Sequence, residues 1–318
     1  MVQFLVKRFI GLIFVLIGVT FITFIMGYFA PGDAATQILG QHATPAAIAA
    51  LRHAYGLDLP WYQQYYNFFT HAIRLDFGDS FVYHRSVMTI LSEGLPISLE
   101  LGFWALALSV IVGVPLGIMS ALRANSWIDT TNMAVLLVMY SIPSFVLAPV
   151  VQLILLWLDK NVGLGWPATG WGNPWQYTFS DIQFKLFPIL VFAAATIAYF
   201  SRLTRTTMLE VMRQDYVRTA RAKGMRERVV IYRHAFRNAL IPLVTVLGVQ
   251  VGFLVTGAFF IEQAFSIPGV ASITLNSISN RDFPVVQGTV VLLAFAVVVA
   301  NLLSDIMYTV VDPRIKIV

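Results

Sequence analysis

Six stretches of the chain are apolar on every face over a length that crosses a membrane. A hydrocarbon core of about 30 Å takes about 20 residues of helix. The stretches are residues 9–29, 98–121, 130–158, 186–201, 239–261 and 285–311. The fourth is the shortest, and Arg202 and Arg205 extend it by reaching toward the interface. Lys7 and Arg8 precede the first, as in a signal peptide. Its length, the absence of an A-x-A site and Pro31 directly after it predict a retained anchor helix instead.

The segments between the spans are uneven. Residues 31–97 are too long for a bare connector and predict a small cap. Within it, "TPAAIAALRHAYG" reads as a helix with Thr44 as N-cap, Pro45 in the first turn and Gly56 as the stop. "PWYQQYYNFFTHAIRLDFG" reads as a second, aromatic helix ending near Gly78, suited to an interface. Residues 159–185 contain "LGWPATGWGNPW", which predicts a structured loop or re-entrant turn.

Composition agrees with this pattern. Hydrophobic residues make up 58% of the 318, and charged residues only 12%, about half the roughly 25% of a soluble domain. The chain is read as an all-α polytopic membrane protein. Without cysteine it has neither disulfides nor thiolate chemistry. Six spans put both termini on one side. Fifteen Lys or Arg fall on that side and six on the other, so the termini are expected to be cytoplasmic.

Several chemistries are missing. No G-x-x-x-x-G-K-[ST] occurs to cradle a nucleotide, and no G-x-S-x-G or H-E-x-x-H occurs to hydrolyse a substrate. The five histidines never take metal-ligand spacing, so no catalytic residue, metal or bound cofactor is expected. Ion-coupled transport needs ionisable groups deep in the bilayer. Glu100, Glu262 and Asp305 fall toward helix ends and are read as solvated and unpartnered. The chain holds a path but no engine, and the engine is expected in another protein.

One segment gathers charge. Residues 216–242, "YVRTARAKGMRERVVIYRHAFRNALIP", hold seven Lys or Arg against one Glu. A helix through "MLEVMRQDYVRTARAK" stops at Gly224, and "RERVVIYRHAFRNA" leads on toward Pro242. Such a segment rests on anionic lipid, binds nucleic acid or docks on a partner. Nothing else in a polytopic chain supports nucleic acid. The residues alone leave lipid and docking open.

A basic helix–glycine–helix before the second-last span resembles the coupling loop of ABC importer permeases. The usual E-A-A before the glycine is here Arg218, Thr219 and Ala220, so only the last letter matches. "YVRTARAKG" with "RHAFRNA" is similar to the version in the dipeptide/oligopeptide/nickel permease family, in its first permease subunit. "APGD", "YGLDLPWYQQY", "LDFGDS", "SIPSFVLAP", "FSIPGVASITLNSISNRDFPVVQG" and "DPRIKIV" resemble that family in the same order.

The resemblance implies a type I importer fold with six transmembrane helices in a bacterial or archaeal plasma membrane. It divides the chain into an anchor helix (1–30), an extracytoplasmic cap (31–97), a permease core (98–311) with a cytoplasmic coupling loop (202–238), and a tail (312–318). The implied partners are a homologous second permease, two ATP-binding subunits that carry ATP and Mg, and an extracytoplasmic solute-binding protein. Coupling falls to Asp215, Tyr216, Arg218, Thr219, Ala220, Arg221, Lys223, Gly224 and Arg228, with arginines offering planar contacts to carboxylates and carbonyls. Peptides are the expected substrate and nickel the alternative. A stand-alone ion-coupled secondary transporter is the reading from a different class. On span five, Gln250, Thr256 and Glu262 are candidates for lining the path. Gly248 and Gly252 form a G-x-x-x-G for close helix packing, and Pro115, Pro143 and Pro149 are placed to kink spans two and three.

Overall fold

The computed structural model describes residues 2–29, 39, 44–252 and 258–311. These are almost entirely helical. The helices are α1 (Val2–Tyr28), α2 (Pro45–Ala54), α3 (Trp61–Ile73), α4 (Val87–Leu122), α5 (Trp127–Ser141), α6 (Ser144–Val162), α7 (Phe179–Met212), α8 (Asp215–Ala222), α9 (Glu227–Gly252), α10 (Phe259–Ala264), α11 (Val270–Ser279) and α12 (Phe283–Val311). Six of them, α1, α4, α6, α7, α9 and α12, are long and apolar enough to cross a membrane.

Boundaries depart from the apolar stretches for identifiable reasons. The third stretch is not one helix. Pro143 disfavours helix at Ile142, which turns to an extended ψ of 115°, so α5 ends and α6 starts afresh. Pro143 therefore separates two helices, whereas Pro149 lies inside α6. Helices α4 and α7 run to 36 and 34 residues, well past the apolar window, because polar residues at their ends continue the hydrogen-bond ladder. The expected caps hold at α2, where the Ala47 N–H donates to Thr44 Oγ1 at 3.3 Å and Gly56 takes a φ of 64°.

Contacts group the chain into two units that are not consecutive in sequence. The first takes residues 1–96 with 269–298. Here α1 meets α3 through Phe24, Tyr65 and Phe68, and Thr20 Oγ1 lies 3.3 Å from the Tyr65 hydroxyl. Phe77, Val87, Leu91, Val270 and Val285 form the core. The buried Asp282 carboxylate accepts from the Ser80 hydroxyl and, at 3.0 Å, from the Phe81 N–H, which fixes the turn before α4. At the surface, hydrogen bonds from His71 and from the Gly78 N–H hold the Asp76 carboxyl below the ordinary carboxylate range.

The second unit takes residues 97–268 with 299–317. Its frame is α4 lying parallel to α7, because contacts advance together along both. A Cβ at Gly113 would stand 2.8 Å from the Ile197 carbonyl oxygen and 3.0 Å from Phe200 Cβ. One at Gly117 would stand 2.5 Å from Thr204 Cβ. These two glycines, also spaced G-x-x-x-G, let the backbones approach closely. Helix α5 packs on the same α7, and Asn132 Nδ2 donates to Ser120 Oγ of α4 at 2.6 Å. Of the pair expected to pack, Gly248 sits tightly on Ser304, whose Cβ would be 2.9 Å from an added Cβ. Gly252 is looser, with its nearest neighbours at 3.9 Å.

This difference is measurable. Gly117→Ala is expected to lower unfolding stability by about 1–3 kcal/mol, the usual cost of overpacking. Gly252→Ala is expected to change it by less than about 0.5 kcal/mol. Unfolding titrations in mixed micelles compare the two, and equal responses would contradict close approach at Gly117.

Candidate functional site

The basic segment folds as two short arms across a glycine. Helix α8 is amphipathic: Val217 and Ala220 face inward and pack with Val230, flanked by Val211 and Met225. Arg218, Thr219, Arg221 and Lys223 stay exposed, as do Arg226 and Arg228 beyond the turn. Gly224 has a φ of 73° and nothing within 4 Å of where a Cβ would be. The turn therefore needs a left-handed residue, not space. Arg221 Nη2 bridges the turn to Glu227 Oε1 at 2.8 Å. Asp215 Oδ1 lies 3.7 Å from Arg218 Nη1, both largely exposed, so that pair adds little. Tyr216 accepts at its hydroxyl from Asn238 Nδ2 at 2.9 Å, which ties α8 to the start of the next span. That span opens with a π-helical stretch, Val230–Phe236, a geometry frequent at functional sites.

The segment is thus a small apolar seat carrying a dense, outward cationic face. Such a face suits acidic or carbonyl-rich surfaces, since guanidinium offers several donors in one plane. Of the expected coupling residues from Asp215 to Arg228, all are exposed except Ala220, which is buried in the apolar seat. The path candidates fare differently. Gln250 is half-buried in α9, while Thr256 lies outside the described residues. Glu262, read from sequence as a solvated carboxylate, has no exposed surface and accepts from Ser98 Oγ at 2.6 Å.

Glu100 corrects the sequence reading in the same way. It too has no exposed surface. Its Oε1 accepts from Lys185 Nζ at 2.8 Å, and its Oε2 from Trp171 Nε1 at 3.0 Å and the Trp175 N–H at 2.9 Å. Lys185 gives its other two protons to the Asn173 and Gln176 carbonyls, each at 2.7 Å. An ammonium has three donors, and all three are used. The partner was illegible because Lys185 was counted with a loop, whereas it lies two turns inside α7. A second pair joins Arg205 of α7 to Asp129 of α5, with Nε at 2.7 Å and Nη2 at 2.6 Å from the two carboxylate oxygens. The spacing of Asp129 gave no sign of it.

The turn at Gly224 yields a clean test. A non-glycine residue in the left-handed region costs about 1–2 kcal/mol, while Asn tolerates it. Gly224→Val is expected to speed amide exchange across α8 by about five- to thirtyfold. Gly224→Asn should stay within about threefold of wild type. Equal exchange in both variants would deny the turn its role.

Comparison with known proteins fits this architecture. Residues 113–317 match the family described as "Binding-protein-dependent transport system inner membrane component", and residues 1–102 match its N-terminal companion. The dipeptide transport system permease protein of Alkalihalophilus pseudofirmus is 37% identical over 99% of this chain and 100% of its own. The corresponding Lactococcus lactis protein is also 37% identical, over the full length of both. The glutathione transport system permease protein of Salmonella choleraesuis is 35% identical over 99% of each. Among solved structures, an inward-facing form of the MetNI methionine ABC transporter superposes with a TM-score of 0.55. It covers 71% of this chain and 97% of its own at 17% identity, which is a likeness of fold. With six membrane-length helices among its described residues and a match to this family over most of its length, the chain belongs to the inner-membrane components of binding-protein-dependent transport systems.

Proposed function

We propose that this chain is one of two homologous permease subunits of an ATP-driven importer of small peptides. Peptide is the substrate class common to relatives named for dipeptide, peptide and glutathione transport, each matched over almost the whole chain. The importer lies in a bacterial or archaeal plasma membrane. Its basic segment faces the cytoplasm, in keeping with the excess of Lys and Arg there. Two partner subunits bind and hydrolyse ATP with Mg, and a solute-binding protein delivers peptide from the opposite side.

In this reading, Asp215–Arg228 docks on an ATPase subunit and turns its closure into movement of the spans. The observation that carries it is the division of labour in the segment. Val217, Ala220 and Val230 seat it on its own subunit, and the cationic face is left for another protein. A cation carpet on lipid needs no such seat, since diffuse attraction to headgroups requires no fixed geometry. Movement of the path is then rigid-body rocking of helices rather than proton or sodium binding.

The double variant Arg221→Glu/Lys223→Glu tests this in the co-expressed transporter. It is expected to insert normally, to lose its ATPase partners on purification, and to reduce peptide uptake at least tenfold. A wild-type chain that purifies alone and moves peptide into liposomes without ATP would overturn the proposal in favour of a secondary transporter.

A further inference from the structure

Helix α7 is anchored at two heights. Lys185 meets Glu100 of α4 near its start, with the two side chains 3% and 0% exposed. Arg205 meets Asp129 of α5 near its end, with the two side chains 24% and 4% exposed. The anchors lie twenty residues apart along one helix, about 30 Å at 1.5 Å per residue. That is also the thickness of a hydrocarbon core. Each pair joins α7 to a different neighbour, and the interval between them holds the tight Gly113 and Gly117 contacts with α4.

The weak point of α7 is a proline. Pro188 lies inside it, buried. A proline there removes the bond to the carbonyl four residues back and favours bending. Lys185 sits three residues before it, so the first ion pair fastens the helix at the place where it would hinge. The same pair fixes what precedes α7. Through the Trp171 indole, the Trp175 N–H and the Asn173 and Gln176 carbonyls, it gathers the connecting segment 171–178 onto the helix. Asp181 adds a further tie, accepting from the Asn173 N–H at 2.9 Å. At the other end, Met212 leads within three residues into the basic helix α8.

We propose that Glu100–Lys185 and Asp129–Arg205 are positioning pairs that make α7 a single unhinged strut. The strut ties the basic segment at one end rigidly to segment 171–178 at the other. Displacement of α8 then appears at the far end without loss in bending. Burying one ion pair fully and a second in large part is a costly way to gain stability alone, because apolar residues of the same volume do as well or better. Fixing one geometry is the use that hydrogen-bonded charges serve better than apolar contacts. The pairs are also not exchangeable. The carboxylate of Glu100 is met by N–H donors, and the ammonium of Lys185 by carbonyls. A charge swap would turn both sets of neutral partners against the new occupants.

The chain contains no cysteine, so two spin labels can be placed on it without background of its own, and the chain is labelled before assembly with its partners. Labels at Gln176→Cys and Gln214→Cys bracket α7 in the assembled transporter. Pulsed distance measurements compare the nucleotide-free form with the ATP-bound, hydrolysis-blocked form. In the wild type the distance is expected to stay unchanged within the width of the label distribution. Lys185→Met and Arg205→Lys are expected to broaden it at least twofold. Arg205→Lys keeps the charge and loses only the two-pronged contact, so it guards against simple misfolding, and Trp171→Phe does the same at the other pair.

The width of the distance distribution in the nucleotide-free form tests the strut on the fold alone, whereas the comparison of nucleotide states rests on the proposed function. A second readout rests on the proposed function: peptide carried per ATP should fall at least fivefold in both variants, while ATP hydrolysis stays within twofold. A purely structural loss would lower both rates together. A wild-type distance that shifts between the two nucleotide states would overturn the strut. So would variants that leave both distance and stoichiometry untouched, or a swap of Glu100→Lys/Lys185→Glu that restores them.

Discussion

The constraint on which the rest depends is that charge within a bilayer must be paired or brought to an edge. Isolated ions in a low-dielectric medium are too costly to keep. This chain obeys the rule in two ways. A third of its Lys and Arg, seven of 21, gather in the basic segment 216–242, before and within the first turns of α9. Of those on the long helix α7, Lys185 and Arg205 meet a carboxylate and Arg202 stands over the Tyr140 ring at 5.2 Å. The placement of charge therefore organises two things at once. Exposed cations make up one outward face of the basic segment, and buried pairs fix which helices lie together.

Close backbone approach is the complement of those pairs. Hydrocarbon tails are as apolar as leucine, so helices in lipid gain little by merely meeting. They gain from dispersion contacts at short range. Gly113 and Gly117 supply that range between α4 and α7, in the interval between the ion pairs. Neither device is sufficient alone. Glycine contacts would let two smooth helices slide, and ion pairs would hold two separated helices only at points. Together they fix register and distance.

Much of this was legible in the residues, and the division follows the range of the forces. Local signals were read well. Thr44, Pro45 and Gly56 mark α2, and Gly224 marks the turn of the basic segment, because caps and left-handed residues act within a few positions. The count of spans was legible because hydropathy accumulates over twenty residues. Most of what failed was long-range. Glu100 and Glu262 were read as solvated from their distance to helix ends. Depth along a helix does not say whether a neighbour covers it. The partner of Glu100 lies 85 positions on and that of Glu262 lies 164 positions back. The third span was read as continuous because hydropathy does not register the backbone conformation that Pro143 imposes on Ile142.

The glycine pair shows the same limit from the other side. Two G-x-x-x-G spacings are present, and only the one at Gly248 and Gly252 attracted notice in the sequence. Of its two members, Gly248 is tightly opposed and Gly252 is not. The pair at Gly113 and Gly117 is opposed at both positions, with α7 backbone and β-carbons at both. A motif states that approach is possible, and only the partner surface decides whether it happens. In this chain the partner is α7, the helix that also receives both ion pairs and leads directly into the basic segment. Its 34 residues contain thirteen buried positions, among them Lys185, Ser201, Thr204 and Thr207. A membrane helix covered on so much of its polar surface by its own subunit is built to keep its neighbours. That is the property a lever between two faces of a membrane requires.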